Sequence, residues 1–160
     1  MSTHQGGCLC GALRYETVGN PERVVFCHCR FCQRATGSSF LLEAMFTRTN
    51  FQLISGAPTE YELTSVGSGK KVVVNFCPTC GTKIYLDLDR APDLVGLYTG
   101  TFDDPNWFDR LGSNSKHIFL DFAQRDTLIH PDVPVFHEHM TTRDGQPTEP
   151  VVFDKPHQVG

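Results

Sequence analysis

Lys71-Val72-Val73-Val74-Asn75-Phe76-Cys77-Pro78-Thr79-Cys80-Gly81-Thr82-Lys83-Ile84-Tyr85-Leu86-Asp87 reads as a hairpin whose turn is a metal knuckle. Two short arms rich in Val, Ile, Tyr and Leu flank a tight C-P-x-C-G turn. Pro78 fixes φ on the way into the turn. Gly81 permits a positive φ on the way out, which lets backbone N–H groups point at sulfur. Two cysteines at this spacing are half of a tetrahedral site, because structural zinc takes four ligands. The missing half has to come from elsewhere in the chain.

Two further clusters hold the other five cysteines: Cys8-Leu9-Cys10-Gly11, and Cys27-His28-Cys29-Arg30-Phe31-Cys32. The C-x-C-G pair, Cys8 and Cys10, can complete a closed four-cysteine site with Cys77 and Cys80. Cys27, Cys29 and Cys32 then remain, close enough in sequence to grip one ion by themselves. The other partition gives Cys27 and Cys29 to the knuckle and leaves Cys8, Cys10 and Cys32 over. Two zinc ions are expected on the first partition. The second ion, with one thiolate fewer, is the weaker-bound and more labile of the two.

A three-cysteine site either leaves a coordination position open or closes it with a histidine. His28 sits between two ligands and would strain to reach the same ion, whereas His4 and His117 are free to fold back. An iron–sulfur cluster fits poorly, because it needs four ligands and a different spacing. Three thiolates on Zn²⁺ make a unit of net charge −1, a weak Lewis acid that favours a soft thiolate ligand over activated water. Nearby cations would help to hold an anionic thiol there: Arg30 and Arg34 flank the ligands, and Lys70 and Lys71 precede the knuckle. Taken singly, each of these four also reads as ordinary solvated charge.

Composition limits the alternatives. A chain of 160 residues, 39% of them hydrophobic, is long enough for one domain that buries roughly 70% of its unfolded surface. Its net charge of −4 argues against a nucleic-acid partner, which needs a concentrated positive field. A small anionic substrate held by local Arg and Lys remains compatible. Met1 to Tyr15 lacks the basic and apolar regions of an export signal. Runs such as Phe40 to Phe46, interrupted by Glu43, are too short to span a bilayer, so no membrane partner is expected. The expectation is a cytoplasmic protein whose thiols stay reduced and bind metal rather than pair as disulfides.

Strand signals dominate: Ala12 to Thr17, Ser39 to Phe46, Phe51 to Ser55, Tyr61 to Thr64, Lys71 to Phe76, Thr82 to Leu88 and Leu94 to Thr99. Turn clusters such as Gly19-Asn20-Pro21 and Gly67-Ser68-Gly69 separate them. The one helical signal is a turn or two after Cys29, through Gln33 to Thr36 and stopped by Gly37. The pattern predicts a mostly-β domain of several small sheets over residues 1–140. Residues 141–160 are read as an extended or loosely ordered tail, in which Val151-Val152-Phe153 could dock.

These clusters resemble a known family. Gly7 to Gly11, Cys27 to Gly37 and Phe76 to Thr82 are similar to motifs of the glutathione-dependent formaldehyde-activating enzyme family. Gly100-Thr101-Phe102-Asp103-Asp104-Pro105, His117-Ile118-Phe119 and Val133-Pro134-Val135-Phe136 agree with it. The resemblance implies a single-domain β-tent of small antiparallel sheets organised around a structural zinc on Cys8, Cys10, Cys77 and Cys80. It also implies a catalytic-type zinc on Cys27, Cys29 and Cys32, with glutathione as the small-molecule thiol. The implied activity is that of a carbon–sulfur lyase joining glutathione and formaldehyde as S-hydroxymethylglutathione. His28 and His117 are the candidate donors to the developing alkoxide.

Two other functions stand beside this one. One is a glutathione- or metal-binding protein without catalysis. The other is a structural interaction module with two closed zinc sites. Outside the cysteines, His137 and His139 could form an accessory metal site but read more simply as surface histidines. Asp103-Asp104-Pro105 reads as a turn cap, and Trp107 and Phe108 as packing residues.

Overall fold

Every strand of the protein is seven residues or shorter, because turn residues interrupt each run of β-branched and aromatic side chains soon after it starts. The structure, a computed structural model, describes residues 1–160. Its strands are β1 (Thr3–Gly7), β2 (Arg14–Val18), β3 (Arg23–Cys27), β4 (Leu41–Thr47), β5 (Phe51–Ser55), β6 (Thr59–Thr64), β7 (Lys71–Phe76), β8 (Lys83–Leu88), β9 (Leu94–Tyr98), β10 (Ser115–Ile118), β11 (Leu128–Ile129) and β12 (His157–Gln158). One α-helix, α1 (Arg30–Thr36), follows β3. The protein is mostly β, in several small sheets, as the strand pattern predicts. No helix is long and apolar enough to cross a membrane.

The chain forms two compact units. The first is Met1–Glu22 with Ala44–Phe108; the second is Arg23–Glu43 with Asp109–Gly160. In the first unit, β1, β2 and β5 make a three-stranded antiparallel sheet, while β6, β7, β8 and β9 pair antiparallel in succession. Its core mixes aliphatic side chains such as Leu13, Ile84 and Leu97 with packed aromatic rings. Tyr15 sits edge-on to Phe102 at 5.5 Å between ring centroids, and Phe51 meets Tyr85 at 4.9 Å. Such pairs add about 0.5–1.5 kcal/mol each beyond the area they bury. Gly6 is fixed by this packing: a Cβ there would lie 2.3 Å from the Tyr15 hydroxyl oxygen and 2.5 Å from the Thr101 carbonyl oxygen. Trp107 and Phe108 pack against Phe102, as their composition predicts.

The second unit is built around a parallel pairing of β3 with β10, which sets His117 opposite Phe26 and Ile118 opposite Cys27. Parallel partners need a long connection between them. Here most of the chain lies in that interval, so the pairing leaves no local signature. Val135 bridges His117 on one side and Val151 on the other. Residues 141–160 carry β12, which pairs with β11. Val151 and Val135 exchange two backbone hydrogen bonds of 2.8 Å each. The Phe153 and His157 rings stack 4.0 Å apart.

Candidate metal centres

The four-cysteine group lies wholly in the first unit. Cys8, Cys10, Cys77 and Cys80 place their sulfurs within 4.8 Å of one another. Two turns do this. Gly11 N–H donates to the Cys8 carbonyl at 3.0 Å, and Gly81 N–H to the Cys77 carbonyl at 2.9 Å. Both glycines adopt the left-handed backbone that closes such turns, with φ of 76° and 73°. Cys77 N–H donates to the Thr82 carbonyl, so the knuckle caps the β7–β8 hairpin.

The sulfur spacing tests the fit to zinc. Cys8 and Cys10 sulfurs are 3.5 Å apart, and those of Cys10 and Cys77 are 3.7 Å apart. A tetrahedron with zinc–sulfur bonds of about 2.3 Å has edges of ~3.8 Å, so these separations match its edges. Donors also surround the sulfurs. Leu13 N–H reaches Cys8 Sγ at 3.2 Å, and the Thr82 hydroxyl lies 3.1 Å from Cys80 Sγ, pulling that thiol down to about 5. Hydrogen bonds of this kind favour the thiolate, the form that binds metal.

Cys27, Cys29 and Cys32 form a second group, within the second unit. Cys27 ends β3, and Cys29 caps α1 with its sulfur accepting the Cys32 N–H at 3.3 Å. The helix stops at Gly37, whose φ of 66° makes a left-handed cap. The three sulfurs compete for protons. Hydrogen bonds from Cys27 and Cys32 pull Cys29 down to about 3, while Cys27 and Cys32 are pushed well above the usual thiol range. A dication at this point would let all three ionise, so the donor set suits zinc. No histidine nitrogen or carboxylate oxygen belongs to this cluster of ligand atoms.

The histidines that could have closed the site are engaged elsewhere. His117 Nδ1 lies 2.9 Å from His28 Nε2, and its ring stacks on Phe26 at 4.4 Å. His4 stacks on Trp107 at 3.5 Å. His28 and His117 are both buried, which holds each down to about 4 and therefore neutral. Their outer nitrogens, His28 Nδ1 and His117 Nε2, have no hydrogen-bond partner.

Gln33 joins the ligand loop to its surroundings. This buried side chain donates through Nε2 to the His28 carbonyl at 2.6 Å and to the Phe122 carbonyl at 2.8 Å. Its Oε1 accepts from Arg30 and from Gln124 Nε2. Phe119, in the left-handed region at φ 61°, turns the chain out of β10 towards Phe122. Beside α1 lies an open depression of about 400 Å³ lined by Arg30, Gln33, Arg34, Ser38, Ser39 and Gln124 among others.

The cations named from sequence divide between the units. Arg30 and Arg34 border this depression in the unit of the three-cysteine group. Lys70 and Lys71 belong to the other unit, where Lys71 Nζ pairs with Glu62 at 2.9 Å. His137 bonds Asp121 at 2.6 Å on the exposed surface. Asp104 does cap a turn, accepting the Asn106 N–H at 2.9 Å, whereas Asp103 forms a two-pronged ion pair with Arg14. Sequence reasoning missed Gln33, Gln124 and Glu43. Glutamines carry no motif, and Glu43 entered only as an interruption in an apolar run. That interruption is a buried carboxyl, with Oε1 unpartnered and its pKa pushed up to about 7, chiefly by burial.

Comparison with known proteins adds a family. The family model described as glutathione-dependent formaldehyde-activating enzyme matches residues 3–121. An uncharacterized lyase of Schizosaccharomyces pombe is 23% identical over 140 residues, covering 82% of this chain and 94% of its own. The crystal structure of a Rhodobacter sphaeroides protein superposes with a TM-score of 0.52 at 22% identity, covering 69% of this chain and 97% of that one. At that identity the likeness speaks for the fold alone.

Proposed function

The chain belongs to the glutathione-dependent formaldehyde-activating enzyme family, and from that premise we propose that it is a zinc-dependent carbon–sulfur lyase acting on a thiol–carbonyl adduct, with glutathione and formaldehyde as the pair. One observation carries the proposal. The sulfurs of Cys27, Cys29 and Cys32 gather at the start of α1 with no fourth protein ligand among them. Zinc held there would supply a soft cation for a substrate sulfur. The reading places the structural zinc on Cys8, Cys10, Cys77 and Cys80.

The chain's own residues do the rest. In the forward direction a bond forms between the thiol sulfur and the carbonyl carbon. The C=O π pair moves to oxygen, and the thiol proton ends there; the reverse reaction breaks the same C–S bond. Holding both reactants beside the ligand loop makes a bimolecular encounter local. Arg30 and Arg34 offer positive charge to an anionic thiol. His28 is the proposed donor to the developing alkoxide. When His117 Nδ1–H donates to His28 Nε2, His28 Nδ1 carries a proton and has no protein acceptor.

The test is the exchange rate between free and hydroxymethylated glutathione, read by NMR on zinc-loaded protein. The wild type should accelerate it above the uncatalysed rate, and Cys29→Ser should lose that acceleration. Glutathione binding without any acceleration would instead assign the site to a thiol-binding protein. An unchanged rate in Cys29→Ser would contradict the proposed site.

A further inference from the structure

The depression beside α1 carries charge that the protein itself leaves unanswered. The Arg30 side chain gives one hydrogen bond, to Gln33 Oε1, and the Arg34 side chain makes no hydrogen bond or ion pair. The other lining groups are neutral amides, hydroxyls and a glycine; no carboxylate borders the space. Two arginines are therefore unneutralised at one place on a chain whose net charge is −4. A planar guanidinium is suited to a carboxylate, which it binds with paired N–H donors.

The place is also braced. Ser39 Oγ donates to Gln124 Oε1 at 3.1 Å, Gln124 Nε2 to Gln33 Oε1 at 3.2 Å, and Gln33 Nε2 to the His28 carbonyl between two cysteine ligands. The buried Gln33 amide thus ties the rim of the depression to the backbone of the three-cysteine loop and orients Arg30. Helix periodicity agrees with this. Arg30 directly follows Cys29, and Arg30, Gln33, Arg34 and Gly37 fall at i, i+3, i+4 and i+7, so they line one face that begins beside the ligand loop. A C-terminal carboxylate one residue beyond a thiol-bearing residue lies only ~4–8 Å from that residue.

We infer that this depression, framed by Arg30 and Arg34 and braced by Gln33 and Gln124, is the subsite for the C-terminal glycyl carboxylate of the thiol substrate. The inference rests on the reading of the three-cysteine group as a thiol site and deepens it. It selects one end of glutathione over the other. The γ-glutamyl end carries an ammonium beside its carboxylate, and a depression without any acidic group has nothing to receive that ammonium. The glycyl end carries a carboxylate alone.

Calorimetric titration of the zinc-loaded protein tests it, with glutathione, its glycyl ethyl ester and γ-glutamylcysteine as ligands. Wild type and Arg34→Ala are compared, with Arg30→Ala as a second variant. Wild type should bind glutathione about tenfold more tightly than the ester or the dipeptide, the scale of a charge-assisted pair near solvent. Arg34→Ala or Arg30→Ala should shrink that preference towards unity, mainly by weakening glutathione. Equal wild-type affinity for glutathione and its ester would overturn the subsite while leaving the thiol site standing. A preference that survives in both variants would place the carboxylate elsewhere and overturn it too. Failure of all three ligands to bind the wild type would refute the thiol-site reading itself, and the subsite with it.

Discussion

His28 and His117 share a hydrogen bond of 2.9 Å between Nε2 and Nδ1, with their rings inclined by 13°. The bond leaves one proton donor and one bare nitrogen at the two outer ends, whichever tautomer is present. Because β3 pairs in parallel with β10, the same register that sets Ile118 opposite Cys27 places His117 opposite Phe26. The pair therefore couples β10 to the residue between two candidate metal ligands.

Replacing His117 by Phe keeps a ring on Phe26 but removes the partner of His28 Nε2. The expected cost is about 1–3 kcal/mol at pH 7, the penalty for stranding a buried polar group. The pH dependence has a definite sign. Both histidines are held at about 4 in the fold, below their ordinary value of ~6.5. Between those limits the unfolded chain binds protons that the folded chain refuses. Stability thus falls as pH drops from 6.5 and levels off below 4. Denaturant titrations should show the gap between wild type and His117→Phe narrowing from pH 7 to pH 5. A constant gap would contradict the neutral pair.

Glu43 has the opposite sign. Its carboxyl is buried and pushed up to about 7, so the folded state keeps a proton that the unfolded chain releases above ~4.5. Its contribution is intact below that value and is lost as pH rises through 7. Glu43→Gln should therefore stabilise the protein at pH 8 by about 1–3 kcal/mol, and much less at pH 5. Thermal unfolding at the two pH values checks this. A variant destabilised equally at both would show that the carboxylate is paired.

The sequence made the local features of this fold legible and hid the distant ones. Cys77 to Gly81 announces itself because a metal turn needs a cysteine pair, a fixed φ and a positive φ within five consecutive residues. The helix after Cys29 was readable for a similar reason, since Gly37 supplies its stop. β3, by contrast, is a five-residue run whose partner β10 lies far along the chain, and nothing in Arg23–Cys27 names Ser115–Ile118. The histidines were visible as residue types, but their mutual bond depends on that pairing. Gln33 was invisible as a brace. Two of its four side-chain hydrogen bonds are local, to Arg30 and His28, but the two that make it a brace go to Phe122 and Gln124, which only the fold brings alongside.

The most direct test of the central claim is zinc per chain, measured by elemental analysis with and without excess glutathione, in wild type and Cys29→Ser. The account predicts nearly two ions in the wild type and nearly one in the variant, with glutathione altering retention of only the ion that Cys29→Ser removes. Two tightly held ions in both proteins, indifferent to glutathione, would contradict an open three-cysteine thiol site.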